Sequence, residues 1–253
     1  MNLVLPDRRS ATSASTRKDE AVARFVELIL SGRFTAGAKL PPERELAVDL
    51  GVSRPVVHAA LVELERRGLV RVEARRGAFV EDWRRSGSAE LMLSMMGYTG
   101  GDLSKGLFDG ILEMRLLVET ETARLAARRR GKAALEELEA AVARETLAAG
   151  EGGALSPERV AGLDYDFHLA VALASGNDVY PLLLNSFRRV YRRILERFYE
   201  DGSVVEPVFA FHRRLVAAIA ARDEAASASV MSEILEFGER NLRRILLAPG
   251  EAR

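Results

Sequence analysis

Asp164 and His168 stand four residues apart in a stretch of helical periodicity, so both side chains leave the same face of one helix. A carboxylate and an imidazole in that relation can share one divalent ion. The plainer reading is that a histidine in a helical core is hydrogen-bonded to a neighbour. The chain contains three histidines and no cysteine, which excludes disulfides and thiolate metal sites. A second cluster carries a different chemistry. Ser53, Arg54 and Pro55 open a helix whose tip is basic. The serine hydroxyl can accept from the free N–H groups of the first turn, and the arginine can donate two bonds to guanine. The same helix N-terminus attracts phosphate.

The elements that must present this tip can be followed residue by residue. Leu40 to Ala47, reading Leu-Pro-Pro-Glu-Arg-Glu-Leu-Ala, predicts a helix with Pro41 and Pro42 in its first turn and Leu46, Ala47 and Leu50 on one face. Gly51 breaks it, and Val52 is apolar enough to pack inside the turn. A second helix is predicted from Arg54 to Arg67. Val57, Ala60, Leu61 and Leu64 form its inward stripe, which leaves Arg54, Pro55 and His58 at the outward tip that a helix-turn-helix places in the major groove. Gly68 ends the helix, Leu69 to Val72 alternates as a strand, Arg75-Arg76-Gly77 makes a basic turn, and Ala78-Phe79-Val80 returns as a second strand. An ordinary helical hairpin with a solvated turn is the plainer alternative. All the parts in this order predict a winged helix, with Ser53 and Arg54 as its leading DNA contacts.

Composition allows one large core or two smaller ones, and two domains are expected from 253 residues, 48% of them hydrophobic. Net charge is zero, but residues 1–85 hold 16 Lys and Arg against 12 Asp and Glu, leaving 21 against 25 in the remainder. The positive excess of 4 sits with the DNA-reading segment. No apolar run approaches the roughly 20 residues a bilayer span needs, and the N-terminus carries no secretory apolar region, so no membrane partner and a cytoplasmic location are expected. Residues 1–16, rich in Ser, Thr, Ala and Arg, predict a flexible arm, followed by the winged helix over 17–82.

Residues 83–101 predict a linker with a short Met-rich helix, Glu90 to Met96, punctuated by Gly87, Gly97, Gly100 and Gly101 and carrying the interdomain hinge. From 102 to 248 the pattern is helical throughout. Helices are expected around Phe108 to Ala126, around Ala134 to Leu147 with Gly150 to Gly153 closing it, from Pro157 to Ala174 with Ser156 as cap, from Asp178 through Tyr199, from about Val205 to Ala221, and from Asp223 to Leu247. The fold class is therefore mainly α: an N-terminal winged helix-turn-helix with a small β-wing, then an antiparallel all-helical bundle able to hold a ligand.

Pro42 to Ala47, the spacing to Ser53 and Arg54, and the basic wing resemble the GntR family of bacterial transcription regulators. Arg115-x-x-x-Glu119, Asp164-x-x-x-His168, Ser175-Gly176-Asn177 and Phe211-His212-x-x-Leu215 resemble the helical effector domain, often called FCD, of its FadR subfamily. The likeness runs from about Ala21 to Ile245. Leu163-Asp164-Tyr165, Ser175-Gly176-Asn177 with Tyr180, and Leu184-Asn185 are similar to the fatty-acid-responsive members in particular. This resemblance implies a homodimer on palindromic operator DNA. It implies operator contacts from Arg44, Ser53, Arg54, His58, Arg75 and Arg76, with histidine at position 58 where many members carry arginine. It implies an effector site including Arg115, Tyr165 and Asn185, where the arginine's plainer role is an ion pair with Glu119 or Glu113. It also implies a divalent metal (Zn, Ni or Mn) on Asp164, His168 and His212. The usual third histidine falls at Ile234, so the site has three protein ligands plus water or an effector carboxylate, unless Glu233 turns inward.

Two effectors are consistent with this resemblance: a small organic acid completing the metal and pairing with Arg115, or a fatty acyl-CoA in a longer apolar cleft without metal. A metal-dependent enzyme is the rival class. No motif places a general base beside the metal residues, and no phosphate loop or nucleophile signature occurs, so a regulator rather than an enzyme is predicted. Effector binding is expected to shift the hinge near Ser86 to Gly101 and lower operator affinity.

Overall fold

A computed structural model describes residues 16–88, 91, 105–150 and 155–246. The chain divides into two compact units, residues 1–103 and 104–253. The proposed arm over residues 1–15, the expected Glu90 to Met96 helix apart from Leu91, the glycines at 97, 100 and 101, and the turn at 151–153 lie outside the described residues.

The first unit begins with a helix that the sequence reading passed over, α1 (Arg17–Leu30). Thr16, assigned above to the flexible arm, is its N-cap. Its hydroxyl accepts from Asp19 N–H at 3.2 Å, and the Asp19 carboxylate accepts from Thr16 N–H at 3.1 Å, a reciprocal capping box. Phe25 of α1 is buried, as is Leu64 of the helix that α1 packs on. Helix α2 (Glu43–Leu50) starts after both prolines, with Pro42 as N-cap rather than in the first turn. Gly51 ends it in the left-handed conformation, φ 64°, and α3 (Arg54–Arg66) follows. Val57, Ala60, Leu61 and Leu64 are all buried, as the stripe requires. Ser53 has the extended N-cap backbone, but its hydroxyl makes no capping bond; its carbonyl accepts from Val56 and Val57 instead.

Strands β1 (Val70–Glu73) and β2 (Gly77–Val80) pair antiparallel, Val70 opposite Val80 and Glu73 opposite Gly77, and Lys39 bridges Phe79 as a partial third strand. A four-residue helix, α4 (Trp83–Ser86), closes the unit. It lies against the α3–β1 turn at Gly68, where φ is 75° and an added Cβ would stand 1.8 Å from the Ser86 carbonyl oxygen. Only glycine fits there, for conformation and for space. The Ser86 hydroxyl donates to Gly68 O at 2.8 Å, and Ser88 N–H to Arg67 O at 3.0 Å. Ser86 and Gly87, expected in the hinge, are thus strapped to the winged helix.

The second unit is all helix among the described residues: α5 (Lys105–Arg129), α6 (Lys132–Gly150), α7 (Pro157–Ala174), α8 (Val179–Ser186), α9 (Arg188–Phe198), a 3-10 turn (Gly202–Val204), α10 (Val205–Ala220) and α11 (Glu224–Leu246). Helix α7 is central, packing on α5, α6, α8 and α9, and it buries ten of its 18 residues. It therefore shows little amphipathicity. Phe167, Leu138, Leu215, Ile219 and Met231 form the core around it. The single helix expected from Asp178 to Tyr199 is two, broken at Phe187 with φ −102° and ψ 3°. No glycine or proline marks the break. Phe187 turns its ring into a cavity there, a tertiary contact that overrides local helical preference.

Candidate functional site

Helix α7 sends Asp164 and His168 from one face toward His212 of α10. All three are buried, and one ligand atom from each lies within 4.8 Å of the others. Their order depends on two glutamates that the sequence reading did not assign to the site. Glu145 of α6 accepts from His212 Nδ1 at 2.8 Å, and Glu119 of α5 lies 2.5 Å from His168 Nδ1. The His212 ring is thereby turned so that Nε2 is its remaining atom, while the His168 ring is held between Glu119 at Nδ1, as an ion-pair contact, and Asp164 on the Nε2 side. His168 Nε2 is 3.8 Å from Asp164 Oδ1, while His212 Nε2 is buried with no hydrogen-bond partner among the described residues. A carboxylate on the far nitrogen is the arrangement that fixes tautomer and orientation in metal-binding histidines. Phe167 stacks on the His212 ring at 3.8 Å and holds its plane.

Asp164 is oriented by tyrosines. Tyr199 donates to Oδ2 at 2.5 Å and Tyr191 reaches Oδ1 at 3.4 Å, leaving Oδ1 the less committed oxygen. Burial pushes both phenols well above their ordinary range, and the Asp164 charge adds to the effect. Burial disfavours the His168 imidazolium, but Glu119 and then Asp164 outweigh it, and the pKa is raised. Burial likewise pushes Glu119 up, yet Arg115 and His168 overcome it and hold the carboxyl at about 2. The donor set of two imidazoles and one carboxylate fits Zn or Ni, and a cation would supply the partner that the buried His212 Nε2 lacks. Ile234 is buried and cannot ligate. Glu233 does not turn inward; it is half-exposed and accepts from Arg214 at 3.0 Å.

A cavity of about 640 Å³, its open mouth included, meets this cluster at His168. Its walls are apolar, with Ile111, Leu112, Val118, Leu183, Leu184 and Ile194 among them, and its polar groups are Arg115, Glu119, Thr122, His168, Tyr180 and Tyr191. Arg115 is committed to Glu119 at 2.6 Å, not to Glu113, and donates to the Tyr191 hydroxyl at 2.6 Å. Burial opposes its charge, but Glu119 and Tyr191 outweigh that and keep the guanidinium protonated. Tyr165 and Asn185 do not line the cavity. The Tyr165 hydroxyl donates to Asn185 Oδ1 at 2.8 Å, a bond that ties α7 to α8.

At the other end of the chain, Arg54 and His58 project from the outward tip of α3, with side chains 72% and 64% exposed. Both contact one carboxylate, Glu43, at the start of α2: Arg54 Nε at 3.1 Å and His58 Nδ1 at 2.8 Å. His58 contributes first, then Arg54, to lowering the Glu43 pKa against the effect of burial. Arg44 is exposed, and so is Arg75 at the wing tip, where φ is 64°. Arg76 pairs with Glu73 and lies over the Phe79 ring. A helix tip and a wing tip bearing solvent-exposed cations are what a winged helix offers to the major groove and the phosphate backbone.

Family comparison gives two matches that together span most of the chain: bacterial regulatory proteins of the gntR family over residues 17–80, and the FCD domain over residues 110–237. The chain belongs to the GntR family. It is 30% identical to the Uxu operon transcriptional regulator of Escherichia coli K12 over 242 residues, covering 92% of this chain and 90% of that one. It is 26% identical over 218 residues to the fatty acid metabolism regulator protein of Proteus mirabilis, covering 86% of this chain and 85% of that one. The solved structure of Lar, which controls expression of the Listeria monocytogenes agr system, shares the fold, with TM-score 0.58 at 15% identity over 92% of this chain and all of the other. This GntR-family chain is a DNA-binding transcription regulator with a ligand-binding effector domain. No helix among the described residues is long and apolar enough to cross a membrane.

Glu145 had a sequence signal. With Leu138, Ala141 and Ala148 it falls on the buried stripe of α6, a charge where the period calls for an apolar side chain. Glu119 was visible only as a neighbour of Arg115. Tyr191 and Tyr199, eight apart, had no signal beyond lying on an apolar face.

Proposed function

We propose that the effector domain of this regulator holds a divalent metal on Asp164, His168 and His212, and that its effector is a monocarboxylate with an apolar body. The buried, partnerless Nε2 of His212 carries this reading. An imidazole oriented by a carboxylate, with its other nitrogen buried and without a partner among the described residues, costs stability unless something binds it. The effector carboxylate would sit at the end of the cavity where His168, Arg115 and Tyr191 meet, with its chain along Leu183, Leu184 and Ile111. When bound, the metal supplies a fixed positive charge for that carboxylate. The surrounding residues orient the ligands, exclude water and keep Arg115 charged.

Operator DNA is read by Ser53, Arg54 and His58 in the major groove, with Arg44, Arg75 and Arg76 at the backbone, in a homodimer on a palindromic site. Effector binding shifts the spacing of the two reading heads and lowers operator affinity. By linkage, operator then weakens effector binding by the same factor. The protein works as a regulator without catalysis, in the cytoplasm.

The test is metal analysis of purified protein before and after chelation, followed by thermal-shift titration with mono- and dicarboxylates of graded chain length. Stoichiometric Zn or Ni, and stabilisation that grows with apolar length only in the metal-loaded protein, are expected. Failure to bind any added metal, with ligand binding unchanged in His168→Ala, overturns the metal reading. A second reading, a fatty acyl-CoA bound without metal, is favoured by the apolar cavity walls and by the relative named as a fatty acid metabolism regulator. Acyl-CoA stabilising the chelated protein would establish it.

A further inference from the structure

Glu43 occupies an unexpected position for an acid. It stands at the DNA-facing tip of the winged helix, where a carboxylate is repelled by phosphate. Its two oxygens are divided between two reading side chains: Oε2 lies 3.1 Å from Arg54 Nε, and Oε1 lies 2.8 Å from His58 Nδ1. Glu43 itself is largely covered, its side chain 27% exposed, while both partners stand out into solvent.

We infer that Glu43 is the specificity-determining residue of the operator reader, acting on two base pairs through Arg54 and His58 without touching DNA. This rests on the assignment of those two side chains as base contacts. The geometry shows how it works. A guanidinium held at Nε keeps its two terminal amino groups side by side, which is the fork that matches O6 and N7 of guanine. An imidazole held at Nδ1 keeps Nε2 as its single outward atom, so the ring addresses a base edge in one orientation. Without the carboxylate, both side chains are free to swing to phosphates, where binding carries no sequence information. Glu43 therefore costs general affinity and supplies discrimination, as repulsive elements do in other specific interfaces. The position of His58 sharpens this. A longer arginine at 58 could reach a guanine without Glu43, whereas the short imidazole depends on the carboxylate for its orientation.

The experiment uses the full-length protein in three forms: wild type, Glu43→Ala and Glu43→Gln. Each is subjected to in vitro selection from random duplex DNA, and the preferred site is titrated at two salt concentrations with single base-pair changes at every position. Wild type is expected to discriminate by about tenfold or more at the pairs read by residues 54 and 58. Those pairs are mapped independently by Arg54→Ala and His58→Ala. Glu43→Ala is expected to lose discrimination at both pairs together, to about threefold or less, while keeping it elsewhere in the site. Its affinity for unrelated duplex is expected to equal or exceed that of wild type. Glu43→Gln, which keeps an acceptor for only one partner, should fall between the two. An unchanged preference in Glu43→Ala overturns the inference, and so does a uniform loss of affinity at all positions. Circular dichroism with matching melting curves separates that uniform loss from misfolding, and in a misfolded alanine variant the glutamine form decides. Wild type that selects no sequence overturns the DNA-contact assignment itself.

Discussion

Glu145→Gln separates stability from the proposed metal binding at Asp164, His168 and His212, because the two should move in opposite directions. In the native chain the Glu145 carboxylate is buried at 1% side-chain exposure, and only Oε1 is used, at 2.8 Å from His212 Nδ1; Oε2 has no hydrogen-bond partner. A buried carboxylate with half its acceptors idle opposes folding by a few kcal/mol. Glutamine keeps an oxygen for Nδ1 and removes the charge, so the metal-free variant should be as stable as wild type or gain about 1–2 kcal/mol. For a unit of this size that is a melting temperature higher by roughly 2–8 °C. Metal affinity should fall instead, by about tenfold, since a neutral amide raises imidazole basicity less than a carboxylate does. The assay is paired: calorimetric melting of the chelated protein, and competition titration of Zn or Ni against a chromophoric chelator. Unchanged metal affinity in Glu145→Gln would refute the argument that Glu145 tunes a ligand. A melting temperature lowered by more than about 5 °C without metal would show a plain structural ion pair instead.

Three further outcomes follow from the same geometry. Gly68→Ala should destabilise the winged-helix unit by about 2–4 kcal/mol, from a strained positive φ plus the displaced Ser86 strap, read as a drop of about 10 °C or more in that unit's melting. Metal affinity should fall with decreasing pH across the raised pKa of His168, because the ligand is neutral imidazole and the proton held by Glu119 and Asp164 competes; titration in buffers of differing ionisation enthalpy should show proton release, and a pH-independent affinity would exclude His168 as a ligand. The metal-free fold shows the converse linkage. A histidine whose pKa is raised on folding stabilises below its unfolded value, and that contribution is lost as pH rises through the folded pKa. Arg54→Ala should weaken specific operator binding, with discrimination lost at the base pair that residue reads, yet leave effector-induced stabilisation intact, whereas Arg75→Ala should lower affinity evenly across sequences and reduce the salt slope by about one unit; a sequence-dependent effect of Arg75→Ala would place that residue at a base.

The elements that present the DNA-reading tip were legible in the order of residues, because the signals are local. The glycine after α2, the inward stripe of Val57, Ala60, Leu61 and Leu64, and the basic turn between two short strands each act within a few residues of backbone. Helix α1 was passed over although Thr16 and Asp19 form a capping box, because the polar segment around them suggested an arm. In the second unit the 3.6-residue period placed most helices, and it failed at Phe187, where the chain breaks for a cavity contact that no local rule encodes.

The sequence by itself determined the pair Asp164 and His168, since i and i+4 lie on one helical face whatever surrounds them. It also determined the basic tip at Arg54. Only the tertiary structure decided what those residues are attached to. Glu119, Glu145 and His212 come from α5, α6 and α10, and Glu43 from α2, so their contacts depend on how helices pack rather than on spacing along one of them. The orientation of each histidine is set by the carboxylate on its far nitrogen, and that carboxylate is 67 residues away in the chain for His212 and 15 for His58.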